Sequence, residues 1–86
     1  MGEVHAVIVE EVTLSEAAVI CGVKVEWLVS RMEGGYFPGA RMDAFPAGSL
    51  LRARRMHEME RDFDASVELA ALVADLLEEL DALKNK

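Results

Sequence analysis

Apolar positions recur at helical spacing in four stretches of the chain, and β-branched residues gather in a fifth. Leu14, Ala17, Ala18 and Cys21 fall on one helical face. Thr13 or Ser15 is placed to cap its start by accepting a bond from a free backbone N–H, and Gly22 to stop it in the left-handed conformation. A second face follows at Val25, Leu28, Val29 and Met32 and is closed by Gly34 and Gly35. Only Gly22, Val23 and Lys24 separate the two faces, so the helices cannot share one straight rod and must cross steeply. The pattern therefore predicts a helix-turn-helix over residues 13–35.

Upstream, Val4 to Val9 is rich in β-branched residues and too short for a helix, and it reads as a strand. Its expected partner is Arg41 to Phe45, reached through a turn at Tyr36 to Ala40, which makes residues 36–46 a small wing. With Pro46 near its first turn, a third helix is expected over about 47–61, with Ala53, Met56 and Phe63 on one flank and Leu50 and Met59 at its edges. A fourth is expected over 66–84, capped by Asp64 or Ser66, with Glu68 in the first turn where the helix dipole favours negative charge. Leu69, Val73, Leu76, Leu80 and Leu83 repeat along it as in a coiled-coil seam, and Leu72 and Leu77 widen the stripe. Such a helix is roughly 27 Å long, more than a three-helix core requires. Its far end either folds back or offers Leu76, Leu80 and Leu83 to another chain, so a monomer or a weak homodimer through this helix is expected. The architecture expected is a single domain, 1–86, mainly α: a winged helix-turn-helix with a short N-terminal strand and a longer C-terminal amphipathic helix.

Charge changes the picture drawn by the pattern. A helix-turn-helix suggests DNA, and Lys24, Arg31, Arg41, Arg52 and Arg55 are the residues that would meet a duplex. Yet the outward face of the second helix also carries Glu26 and Glu33, and the net charge of −7 repels a polyanion. Nucleic acid is therefore disfavoured as a partner. The imbalance is also uneven: five Arg stand against three acids in residues 41–61, whereas seven acids stand against two Lys in residues 62–86. Asp75, Glu78 and Glu79 beside the leucine stripe form a candidate docking rim for a basic partner, and Trp27, the one large aromatic expected on an exposed helix face, reads either as a core residue covering the wing or as an aromatic anchor for that partner.

No catalytic constellation is visible. His5 and His57 have no neighbouring nucleophile, and one Cys with two His lacks any zinc spacing. Neither an EF-hand nor a glycine-rich phosphate loop is present, so no metal, cofactor or enzymatic activity is expected. Cys21 lies on an apolar face and reads as a small core residue. With no signal peptide and no membrane span legible in the sequence, the cytoplasm is the expected compartment.

The order strand, helix-turn-helix, wing, basic helix and amphipathic helix resembles the DNA-binding half of MerR-type regulators. A closer likeness is to the CbpM-type chaperone modulators, which look like a MerR domain put to another use. The segments that carry it are Leu14 to Leu28, Leu50 to Arg55, Arg61-Asp62-Phe63 and above all Leu72 to Leu80. The chain departs from that pattern at Asp64-Ala65-Ser66, where glycine, a hydrophobic residue and asparagine are usual. The resemblance implies a protein that binds the J-domain of a DnaJ-like, CbpA-type co-chaperone and restrains its stimulation of the chaperone DnaK. It supplies no contact motif, so the partner-binding candidates Trp27, Asp75, Glu78 and Glu79 rest on charge and expected exposure.

Overall fold

The computed structural model describes residues 10–84, which form four α-helices and one two-stranded sheet. The expected strand at Val4 to Val9 lies outside the described residues. The strand that is seen, β1, is Glu11–Val12, and it pairs antiparallel with β2, Phe45–Pro46, with Val12 opposite Phe45 and Glu11 opposite Pro46. One further bond, from the Ala47 N–H to the Glu10 carbonyl at 2.8 Å, extends the contact.

Helix α1, Leu14–Cys21, begins at a capping box: the Glu16 N–H donates to the Thr13 hydroxyl, and the Thr13 N–H donates to the Glu16 carboxylate at 2.9 Å. It ends at Gly22, whose φ of +70° lies in the left-handed region that a β-carbon disfavours. The cap and the stop both fall where the sequence places them. Helix α2, Val25–Glu33, follows after Gly22, Val23 and Lys24, and Gly34 and Gly35 close it. Of its apolar face only Leu28 is fully buried; Val25, Val29 and Met32 pack against the core from its margin.

The segment between α2 and β2 differs from the expected wing. Arg41 and Ala44 form a single bridge around a tight turn, and Ala44 and Phe45 leave that turn directly for the core. The cause is Phe45, fully buried and edge-on to Phe37 at 5.3 Å between ring centroids.

A single turn of 3-10 helix at Ala47–Ser49 leads into α3, Leu50–Phe63. Ala53 and Met56 of α3 are completely buried. Phe63, expected on the same flank, is instead exposed, because the helix ends there and the chain turns away through Asp64. Asp64 takes a left-handed conformation, φ +51°. This is the position at which the resemblance expects glycine, and the left-handed conformation is held here by a side chain that tolerates it less well than glycine does. The Ser66 hydroxyl then accepts the Leu69 N–H at 3.1 Å, and α4 runs over Val67–Lys84.

Helix α4 folds back onto α3 through Ala70, Ala71 and Ala74, all buried. Small residues let the two backbones approach closely, and they turn the leucine stripe the other way. Leu69, Leu72, Leu76, Leu80 and Leu83 are between 48% and 65% exposed. The face expected to be a seam is thus on the opposite side of the helix from its packing on α3.

Candidate functional site

The arginines of α3 and α2 decide what the surface can offer, because most of them are engaged within the fold. Arg52 donates to the Tyr36 carbonyl at 3.0 Å and forms ion pairs with Asp75 and, at 3.4 Å, with Glu78. Arg55 reaches Asp81 at 2.9 Å; its second terminal nitrogen, Nη1, is buried without a partner. Arg31 of α2 pairs with Glu60 of α3. Three of the five candidates for duplex contact, Arg31, Arg52 and Arg55, therefore spend their charge on carboxylates of this chain. Lys24 is exposed at the N-terminus of α2, and Arg41 is exposed in the bridge turn, 3.7 Å from Asp43. Arg54 is also exposed, and it has no ion pair among the described residues.

Of the two readings of Trp27, the structure shows the packing against the core rather than the exposed anchor. Trp27 is half-buried against the core, with Phe37 at 6.4 Å on one side and the His57 ring edge-on at 5.3 Å on another. The Arg31 guanidinium lies over its indole, 4.7 Å from the ring centroid, where the ring's negative face attracts a cation. Its indole N–H donates to Glu60 at 3.3 Å. Glu60, which sequence reasoning did not single out, is the residue that ties α2 to α3. An isolated glutamate on a charged helix gives no signal of this, since its partners lie 29 and 33 positions away.

The acidic rim is present in a modified form. Asp75 and Glu78 stand on the surface of α4 but share Arg52, whereas Glu79 is exposed with no ion pair among the described residues. On a helix, residues three and four apart are neighbours. Glu68 and Asp75 therefore flank Leu72, and Glu79 flanks both Leu76 and Leu83. These three acids border one edge of the exposed leucine stripe; the opposite edge carries Val73, Leu77 and Lys84.

Cys21 is buried and its thiol donates to the Leu50 carbonyl at 3.5 Å; burial pushes its pKa up, with nearby Arg54 acting weakly in the other direction. Among the described residues no three His, Cys, Asp or Glu side chains are grouped to hold a metal ion. A shallow groove of about 350 Å³ along Ser15, Glu16, Val19 and Ile20 is open to solvent, and the Glu16 carboxylate in it accepts the Thr13 N–H of the capping box. None of the helices described is long and apolar enough to cross a membrane.

In comparison with known proteins, no family model matches the chain, and neither a curated protein nor a solved structure is significantly similar to it. The likeness to chaperone modulators accordingly stands on the residues quoted for it.

Proposed function

We propose that this protein is a chaperone modulator that binds the J-domain of a DnaJ-like, CbpA-type co-chaperone and thereby limits stimulation of DnaK. In this reading α1 and α2 are the helix-turn-helix of a MerR-like winged domain whose wing has shrunk to the Arg41–Ala44 turn. The observation that carries it is the distribution of charge: Arg31, Arg52 and Arg55 are bound to Glu60, Asp75, Glu78 and Asp81, while a net charge of −7 remains to face the solvent. A surface of that kind steers a basic protein in and a polyanion away.

J-domains meet DnaK through a basic helical face. A modulator that covers this face acts by steric and electrostatic masking, and no chemical step is needed. The test is a steady-state measurement of DnaK ATPase activity stimulated by the isolated J-domain, with the full chain added in increasing amounts. Stimulation falls to the unstimulated level as the J-domain is titrated out, and added J-domain restores it. Stimulation unaffected by a large excess of this protein overturns the proposal. Duplex binding is the outcome left in that case, carried by Lys24, Arg41 and Arg54, and it would weaken steeply with salt.

A further inference from the structure

The exposed stripe on α4 is a large apolar feature that the fold leaves uncovered. Its five leucines together expose on the order of 500 Å², which is the size of the largest patch on a typical monomer and often marks a binding site. They repeat at three- and four-residue intervals over nearly the whole length of the helix, which is the spacing that receives another helix.

Charge decides between the occupants. Suppose first that a second copy pairs in the antiparallel sense. A twofold axis then sets each edge of the stripe against its own counterpart, and Glu68, Asp75 and Glu79 face Glu68, Asp75 and Glu79. In the parallel sense the acidic edge faces Val73, Leu77 and Lys84, one cation for Glu68 and Glu79, which have no ion pair among the described residues, while Asp75 already holds Arg52. Neither arrangement satisfies the edge, and like charges set opposite one another oppose association. A helix of another protein, with an apolar stripe and Lys or Arg along one border, satisfies both the leucines and the acids.

We infer that the α4 leucine stripe is the docking surface for a basic amphipathic helix of a partner protein, its apolar side chains set between Leu72, Leu76 and Leu83 and its cations on Glu68 and Glu79. This deepens the reading of the protein as a J-domain binder and rests on it for the partner's identity, whereas the surface itself is argued from its own geometry.

The probe is a synthetic amphipathic peptide about as long as α4, with leucines at every third and fourth position and lysines along one edge. A control peptide carries glutamates in place of those lysines. Titrated by calorimetry into the full chain, the lysine peptide binds and the glutamate peptide does not. Binding weakens several-fold as salt is raised across the physiological range. The double variant Leu72→Gln/Leu76→Gln, both sites being half exposed, keeps its helix content by circular dichroism and loses about tenfold or more in affinity. Glu79→Lys, which leaves the stripe intact, weakens the lysine peptide as well.

Equal binding of the two peptides, or binding indifferent to the glutamine pair, overturns the inference. So does a stable dimer by sedimentation that the glutamine pair dissociates, since the stripe would then belong to a second copy. The same variants separate this inference from the function proposed above. A J-domain that binds wild type and the glutamine pair equally leaves the modulator standing and removes this surface. A lysine peptide that binds through the stripe while no J-domain does removes the modulator and leaves the surface.

Discussion

Glu60 holds three groups at once: the Trp27 indole N–H and two donors of Arg31. The Arg31 and Glu60 side chains are each only 16% exposed, so solvent screens this pair less than a surface one. Replacing Glu60 with alanine strands a guanidinium and an indole N–H, and a loss of about 2 kcal/mol in urea unfolding is expected. Trp27 fluorescence reports that transition, and an unchanged midpoint would contradict the role given to Glu60. At the start of α1, the Thr13 N–H and then the Thr13 side chain hold the Glu16 carboxyl below the usual carboxylate range. A depressed folded value contributes stability that is present above the unfolded glutamate pKa and is lost as pH falls through the folded one. Glu16→Gln keeps the geometry of the box but cannot titrate, so its thermal midpoint should fall less steeply than wild type on acidification. Cys21, with its pKa raised by burial, should resist alkylation at neutral pH until the chain unfolds; labelling with iodoacetamide along a denaturant series checks this.

Between elements, the joint at residues 64–66 and the alanine face of α4 control how the last two helices meet. Asp64 occupies a left-handed conformation for which glycine is better suited. Asp64→Gly should therefore raise stability by about 0.5–1 kcal/mol, read from thermal or urea midpoints. Ala74 is completely buried where α4 lies on α3, and leucine there has no space. Ala74→Leu should destabilise by about 1–3 kcal/mol or push α4 off α3, seen as a lower unfolding midpoint. At this scale the sequence is legible where signals are local. Thr13, Glu16 and Gly22 bracket α1 by bonds that span three or four residues, and the Ser66 cap is of the same kind. The pairing of Val12 with Phe45, the Arg52 clamp on Asp75 across 23 residues and the Arg55 contact with Asp81 across 26 are set by tertiary packing, and no nearby residue announces them. The leucine repeat of α4 was readable as a helix, but its direction was not. Alanines at 70, 71 and 74 also form a face, and close packing on α3 selected that face in preference to the larger leucines.

Taken whole, the molecule has a radius of gyration of 14.4 Å, against roughly 12 Å expected for a compact domain of its length. It measures 52 Å along its longest axis, and α4 covers α3 on one side and shows leucines on the other. Its acids outnumber its bases by seven, and the inward-facing arginines make the accessible surface more acidic than a count along the sequence conveys. Of the partner candidates, Glu79 stands where a partner can reach it, Asp75 and Glu78 do so while shared with Arg52, and Trp27 serves the core. Those placements could not be told from composition, because the acids and their arginine partners lie on different helices.

The central claim is association with a J-domain, and the most direct test is a calorimetric titration of the full chain with the isolated J-domain of a CbpA-like co-chaperone at low and moderate salt. Saturable one-to-one binding that weakens as salt rises is the predicted result. No heat and no complex at high concentration, at either salt, would contradict it.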